Sequence, residues 1–160
     1  MPKGNNGTPA TQFLTKADIP FTVHTYEYKH TDGAIGLHAA EAIQQPPHRV
    51  LKTLMADIGG KSVCAVVPSD STVNMKKLAA FFKVKSAQMM APHDAERITG
   101  YHVGGISPFG QRKKSPTVFA QQVIDEKTVF INAGKHGFLI EINPKQACEV
   151  LHASFADIID

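Results

Sequence analysis

The chain is organised around the stretch TGYHVGGISPFG at residues 99–110, which holds four of its 12 glycines. Glycine lacks a Cβ atom, so its backbone can adopt left-handed conformations and approach a ligand closely. Pro108 fixes its own φ and stiffens the stretch, while Val103, Ile106 and Phe109 provide apolar anchors. The pattern favours an ordered loop, pinned to a core, whose peptide N–H groups line a pocket. A plain surface turn is the alternative that composition alone leaves open.

Length and composition indicate one globular domain. The chain has 160 residues, 42% of them hydrophobic and 19% charged, and such a length suits a single core. We expect a disordered tail over residues 1–7 and a domain over 8–160. No apolar run approaches the roughly 20 residues of a membrane helix, and the polar start is unlike a signal peptide, so we expect a cytoplasmic protein. A net charge of +3 permits a polyanionic partner without requiring one.

Several common kinds of site lack support in the sequence. Cys64 and Cys148 lie far apart in apolar segments, which indicates buried thiols rather than a disulfide. The eight histidines never fall at metal-binding spacing, so we expect no metal and no cofactor. Ser107 is followed by proline and lacks the final glycine of a Gly-x-Ser-x-Gly elbow. Phosphate-loop and dinucleotide motifs are also absent.

The apolar periodicity and turn residues predict an α+β fold. We predict helices over residues 10–16, 36–44, 74–82, 92–100 and 144–151, and strands over 21–26, 50–56, 62–67, 116–119, 128–131 and 138–142. The strands occur in hairpin pairs interrupted by short helices, without strict βαβ alternation. The expected architecture is therefore a single domain with a mixed, mainly antiparallel, barrel-like sheet and packed short helices.

One basic residue interrupts the apolar strand over residues 50–56. The ammonium group of Lys52 either reaches solvent along its stem or points into a polar pocket. Candidate donors for the same pocket are the N–H groups of Gly104 and Gly105 and the hydroxyls of Thr53 and Tyr26. Such a set suits an anionic or ester-bearing ligand, because backbone donors stabilise the oxyanion of a tetrahedral intermediate. Without a protein nucleophile, positioning becomes the main contribution to catalysis.

These motifs together resemble a known family. Lys52-Thr53, Thr99-Gly100-Tyr101, the run over residues 104–111 and the loop over residues 132–137 are similar to those of the YbaK/EbsC family. The family consists of freestanding aminoacyl-tRNA deacylases related to the editing domain of bacterial prolyl-tRNA synthetase. The likeness runs from about Thr8 to the C-terminus. It implies an editing-domain-like fold and hydrolysis of mischarged aminoacyl-tRNA, typically Cys-tRNA(Pro), with the substrate's own thiol attacking the ester in the YbaK branch.

The resemblance also implies roles for particular residues. Lys52 would hold the tRNA terminus through phosphate, and Gly104 would orient the substrate through its backbone; these two are the predicted catalytic residues. The predicted substrate-binding residues are Tyr26, Thr53, Gly105, Ile106, Ser107, Ile35, Leu139 and Asn132. Two of them depart from the family pattern, since Ile35 replaces a phenylalanine and Leu139 an aspartate. These departures leave alanine or another small amino acid open beside cysteine.

Alternatives remain open at this point. The run Arg112, Lys113 and Lys114 is either a solvated loop or a further tRNA contact. His24, His102 and His136 are expected to be packing or surface residues, with His136 a minor candidate for a general base. A non-catalytic module that grips a tRNA end or a small anion is the alternative to the enzyme. The expected partners are aminoacyl-tRNA and, as a second candidate, prolyl-tRNA synthetase.

Overall fold

The computed structural model describes residues 7–28 and 35–160, and these form two sheets with five helices around them. The helices are α1 (Pro9–Lys16), α2 (Ile35–Ala42), α3 (Met75–Phe81), α4 (Pro92–Thr99) and α5 (Pro144–Val150). The strands are β1 (Thr22–Thr25), β2 (Leu51–Asp57), β3 (Ser62–Pro68), β4 (Gln88–Met89), β5 (Thr117–Ala120), β6 (Val129–Asn132), β7 (Phe138–Ile142) and β8 (Ser154–Ala156).

The two sheets confirm the α+β prediction. One has the strand order β1-β7-β6 and the other β4-β2-β3-β5-β8. Pairing is antiparallel except where β5 lies between β3 and β8. In the described ranges a single parallel bridge from Val50 to Phe130 joins the sheets. The architecture is therefore two open sheets rather than the closed barrel that the term barrel-like suggested.

The main core fills the space between the two sheets. Phe119 and Val66 of the larger sheet, Ile131 and Ile140 of the smaller one, and Leu14 of α1 are fully buried in one cluster. Burial of each such side chain stabilises the fold by about 1.5–3 kcal/mol. A second cluster packs the outer face of the larger sheet against α3. Both faces of β2 and β3 are thus covered, which explains their nearly continuous apolar sequence.

Local signals set the helix ends at the predicted places. Thr8 caps α1 by accepting a hydrogen bond from the N–H of Thr11 at 3.2 Å, and Asn74 and Asn143 cap α3 and α5 in the same way. Gly100 ends α4 with a φ of +82°, a conformation that costs glycine little. The glycine-rich stretch therefore begins directly at a helix end.

Two strands and one tail need separate mention. β4 and β8 were not predicted, because two or three residues are too short to show an alternating pattern. The predicted disordered tail over residues 1–7 lies, apart from Gly7, outside the described residues. Within residues 7–28 and 35–160, no helix combines the length and apolar character needed to cross a membrane.

Candidate active site

A cavity of about 310 Å³ opens along the free edge of β2. β2 pairs with β4 at Ala56 and Asp57, and Val50, just before β2, bridges to Phe130 of β6. Within residues 7–28 and 35–160 no strand pairs with this edge of β2 between those contacts, and residues 50–55 all line the cavity. Most of the wall is apolar, formed by Ile35, Ala39, Val50, Leu51, Leu54, Met55, Met89, Met90, Pro92, Ala95, Val103, Ile106 and Leu139.

Strand register brings distant residues to the same side of this cavity. Leu139 of β7 lies opposite His24 of β1 and Asn132 of β6, so these side chains share one face of the smaller sheet. Tyr26 follows two residues after His24, and it lines the cavity with Leu139 and Asn132. The alternate residues of β6 and β7, such as Ile131, point into the main core instead.

Two buried hydroxyl groups in the wall have no hydrogen-bond partner within the described residues: Tyr26 Oη and Thr53 Oγ1. Buried polar atoms are almost always paired, and leaving one unpaired costs about 1–3 kcal/mol. Burial also raises the pKa of the Tyr26 phenol, which keeps it protonated as a donor. Both groups are therefore available to a ligand. The Nε2 atom of His38, beside Tyr26, is a third unpaired atom that the sequence did not indicate.

Lys52 is the single charged side chain among the described residues of the wall. It is half-buried, and burial lowers the pKa of its ammonium group while the charge of Asp70 opposes that shift in part. Its ammonium makes no ion pair or hydrogen bond within residues 7–28 and 35–160. The stem of Lys52 lies in the cavity wall, and its charged end has no bonded partner within the described residues. The ammonium group can therefore bind an anion.

Gly104 lines the cavity together with Val103 and Ile106 of the same stretch. Its φ is +91°, which strains any residue with a side chain. A Cβ atom built there would lie 2.7 Å from Cδ1 of Ile35 and 2.9 Å from Nε2 of His136. Both contacts are shorter than van der Waals packing allows, so a side chain at this position would require the ends of Ile35 and His136 to move.

The peptide that joins Gly104 to Gly105 is fully hydrogen-bonded within the protein. Its carbonyl oxygen accepts from Nδ2 of Asn132 at 3.2 Å, and its N–H donates to the carbonyl of His102 at 2.8 Å. The N–H of Gly105, predicted as a pocket donor, is therefore already engaged, and Gly105 lies outside the cavity wall.

The peptide that joins Val103 to Gly104 has an unpaired N–H within the described residues. Its carbonyl oxygen, from Val103, lies 3.4 Å from Nε2 of His136, whereas the N–H of Gly104 has no partner within the described residues. In a trans peptide the N–H points away from the carbonyl, so this N–H is directed away from His136. Gly104 thus offers one unpaired backbone donor where it lines the cavity.

The second half of the stretch is structural. Ser107 is fully buried and its Oγ accepts from the N–H of Phe109 at 3.3 Å. Tyr101 donates its hydroxyl to the Phe109 carbonyl at 2.6 Å, which closes the loop on itself. Ile106 and Phe109 are packed in the main core, as predicted. Val103, expected as a third anchor, is 45% exposed and forms part of the cavity rim, and Ser107 lies outside the wall.

The basic run is placed away from the cavity. The backbone N–H groups of Arg112 and Lys113 bond to the carbonyls of Thr99 and Ile98 at the end of α4. All three basic side chains of the run are exposed, and Lys114 lines a different cleft of about 240 Å³. A contact of this run with tRNA outside the cavity stays a prediction.

The wall contains hydroxyls but no activated protein nucleophile among its described residues. Cys64 and Cys148 lie outside the wall, and burial raises the pKa of the Cys64 thiol to about 12 and that of Cys148 to about 11, so both remain protonated and unreactive. Thr53 has no hydrogen-bonded base to take its proton, as nucleophilic catalysis requires. The site is built to bind and polarise a group rather than to attack it.

Comparison with known proteins identifies the family. Residues 37–149 match the family model "Aminoacyl-tRNA editing domain". The chain is 30% identical over 159 residues to a protein of Enterococcus faecalis named "Putative Cys-tRNA(Pro)/Cys-tRNA(Cys) deacylase EbsC", covering 98% of this chain and 95% of that protein. It is 26% identical over 131 residues to proline–tRNA ligase of Streptococcus suis, of which it covers 20%.

Solved structures agree on the fold. The hypothetical protein APE2540 superposes with a TM-score of 0.86 at 19% identity, covering 96% of this chain and all 100% of that one. A protein described as "a putative trans-editing enzyme for prolyl tRNA synthetase" gives a TM-score of 0.82 at 15% identity, with 99% of both chains covered. Together with the family model and the relative from Enterococcus faecalis, these likenesses show that the chain belongs to the aminoacyl-tRNA editing domain family.

Proposed function

We propose that this protein hydrolyses the ester bond of mischarged aminoacyl-tRNA in trans, with Cys-tRNA(Pro) as the first substrate to test. The observation that carries the proposal is the pairing of one unpaired backbone donor, the N–H of Gly104, with the free ammonium of Lys52 in a single apolar cavity. An ester at a tRNA terminus brings a carbonyl oxygen and a phosphate, and these two groups match the two donors.

The chemistry follows from what each donor binds. The N–H of Gly104 would stabilise the oxyanion that forms when the ester carbonyl is attacked, a type of contact worth about 3–4 kcal/mol. Lys52 would bind the phosphate of the tRNA terminus and hold the ester in place. Both effects act through positioning and electrostatics, so they need no group of the protein to become covalently attached.

The attacking group comes from outside the protein in this mechanism. With a cysteinyl ester, the substrate's thiol attacks the carbonyl, the ester C–O bond breaks, and the released ribose hydroxyl takes up the thiol proton; the product is a cyclic thiolactone. With any other amino acid a water molecule attacks and the products are the free acid and tRNA. The nature of the product therefore distinguishes a lyase from a hydrolase.

The amino-acid end of the cavity suits a small, uncharged side chain. Ile35 and Leu139 both line it, and Leu139 is 2% exposed in an apolar cluster. A charged substrate side chain would lose its hydration there without a partner. We propose that cysteine and alanine esters are cleaved, and that aspartyl and lysyl esters are rejected.

A deacylation panel tests this function. Purified protein is incubated with cysteinyl-, alanyl-, prolyl-, aspartyl- and lysyl-tRNA, and the release of amino acid and of thiolactone is measured. We expect release from the cysteinyl or alanyl substrate and its loss in Lys52→Ala. Lys76→Ala, which removes an exposed lysine from α3, is the control and should keep full activity.

Two results would contradict the proposal. Absence of release from every substrate would exclude deacylation and leave a module that only binds a tRNA end. Full activity of Lys52→Ala would remove Lys52 from the site. Repeating the panel with added prolyl-tRNA synthetase tests the second proposed partner, which would raise the rate on tRNA(Pro) substrates if the two proteins act together.

A further inference from the structure

The loop between β6 and β7, residues 132–137, holds the glycine-rich stretch at the cavity. It contains Asn132 and His136, and each contacts one of the two peptides that flank Gly104. Asn132 also closes the turn of the hairpin through its Oδ1, but its Nδ2 and the ring of His136 are directed at the glycine-rich stretch. Resting on the proposed function, we propose that His136 and Asn132 are positioning residues that aim the N–H of Gly104 at the ester carbonyl.

The orientation of Asn132 is fixed by its own hydrogen bonds. Its Oδ1 accepts from the N–H of Gly134 at 2.8 Å and from the N–H of Lys135 at 3.2 Å. Because both partners are donors, the oxygen must face them and Nδ2 must face the carbonyl of Gly104. Asn132 was predicted to bind substrate, but three of its contacts are to backbone. Its contribution is to hold the peptide that follows Gly104.

His136 fixes the peptide that precedes Gly104. Its ring stacks on Tyr28 at a centroid distance of 4.2 Å and an angle of 15°, which limits its rotation. The carbonyl of Val103 can only accept, so this hydrogen bond requires a form of the ring with hydrogen on Nε2. The same Nε2 lies where a Cβ on Gly104 would be. One imidazole therefore both orients the carbonyl and closes the space behind the donor.

This arrangement explains the single unpaired N–H. Of the four backbone groups in the two peptides, three are bonded within the protein: to His136, to Asn132 and to the carbonyl of His102. In a flexible loop, the N–H of Gly104, the fourth of these groups, could rotate toward water. Fixing the other three holds the donor ready before substrate arrives, which is the condition for strong electrostatic stabilisation.

Substitutions at His136 separate positioning from mere packing. His136→Phe keeps an aromatic ring to stack on Tyr28 but removes the N–H donor, and His136→Gln restores a donor at similar reach. We expect His136→Phe to lower kcat about 10- to 100-fold, the cost of a donor misplaced by about 1 Å, with little change in KM. His136→Gln should recover most of that loss. Asn132→Asp, which keeps the acceptor and loses the donor, should lower kcat in the same way.

A second measurement makes the test independent of activity. Labelling with ¹⁵N-glycine gives one amide resonance for each of the 12 glycines, and the Gly104 peak is assigned by its absence in Gly104→Ala. We expect the Gly104 resonance to broaden in His136→Phe, because its peptide would sample several orientations, and to remain a single sharp peak in His136→Gln. Loss of the ring current changes the chemical shift in either variant but not the linewidth.

The outcomes distinguish this proposal from the proposed function. If the wild type cleaves no ester, the function fails while the resonance still reports on positioning. An unchanged Gly104 linewidth in His136→Phe would overturn the proposal, and so would equal kcat values for His136→Phe and His136→Gln. Melting temperatures of the His136 and Asn132 variants, expected within a few degrees of the wild type, exclude loss of folding as the cause.

Discussion

Gly104→Ala is the sharpest test of the site, because the chain offers a matched control. Gly60 has a φ of +94° with nothing within 4 Å of its added Cβ, whereas Gly104 has a φ of +91° with two close contacts. Both substitutions force an L-residue into the left-handed region, at a cost of about 1–2 kcal/mol. Only the substitution at Gly104 also introduces a collision.

The collision sets the size of the expected difference. The added Cβ would lie 2.7 Å from Cδ1 of Ile35 and 2.9 Å from Nε2 of His136, and overpacking of this kind costs about 1–3 kcal/mol. Gly104→Ala should therefore lose about 2–5 kcal/mol of unfolding free energy and Gly60→Ala about 1–2 kcal/mol. For a chain of this size, each kcal/mol lowers the melting temperature by about 2–4 °C.

Activity should separate the two variants more strongly than stability. Displacing the Gly104 donor should reduce kcat about 10²- to 10³-fold, while Gly60→Ala, in the turn between β2 and β3, should retain wild-type kcat. Urea unfolding and deacylation rates are measured on the same preparations. Ile35→Val removes the Cδ1 atom, so combining it with Gly104→Ala should recover part of the lost stability. Equal stability of the two glycine variants, together with near-normal activity of Gly104→Ala, would refute the argument.

Further predictions concern the other polar groups. In the proposed mechanism, phosphate binding needs the charged form of Lys52, and burial lowers the pKa of this group. With rising pH, kcat/KM should therefore fall at a lower pH than the one at which an exposed lysine loses its proton. Lys52→Arg should move that fall to higher pH. Tyr26→Phe and Thr53→Val remove unpaired buried hydroxyls, so each should leave unfolding free energy unchanged or raise it by about 1 kcal/mol while lowering kcat/KM. A hydrogen bond from Thr128 lowers the pKa of Glu141 in the folded protein. The ionised Glu141 carboxylate therefore stabilises the fold above an ordinary glutamate pKa of about 4.3, and this stabilisation is lost as the pH falls through the pKa of the folded state. In urea unfolding at a series of acid pH values, Glu141→Gln should lose less stability than the wild type.

Local sequence signals predicted the elements well. Helix caps at Thr8, Asn74 and Asn143 and the C-terminal glycine Gly100 appear where the sequence placed them, because capping involves residues only a few positions apart. The strand over residues 138–142 was predicted with its observed bounds, since five residues suffice to show their apolar character. The short strands β4 and β8 form only because longer strands lie beside them.

The sequence singled out Gly104 and Lys52, which both line the cavity, but not how the loop uses its donors. Gly104 and Gly105 look equivalent in the sequence, yet within the described residues the N–H of Gly104 has no partner and that of Gly105 bonds to the carbonyl of His102. His136 was expected to be a packing or surface residue and a minor candidate for a general base, and only the approach of the β6–β7 loop places it beside Val103. The methionines Met89 and Met90 line the cavity because β4 covers one end of the β2 edge.

The sequence by itself determined the kinds of groups in this protein: a lysine in an apolar strand, a glycine-rich loop after a helix, and hydroxyls without an activated nucleophile. Tertiary structure decided which of these groups remain unpaired. Whether a donor is free depends on what the rest of the chain places within hydrogen-bond distance. The N–H of Gly105 finds its partner nearby, at the carbonyl of His102, whereas the side chains that hold the carbonyls of Gly104 and Val103, Asn132 and His136, lie 28 and 33 positions away along the chain. Spacing along the sequence carries no information about such contacts.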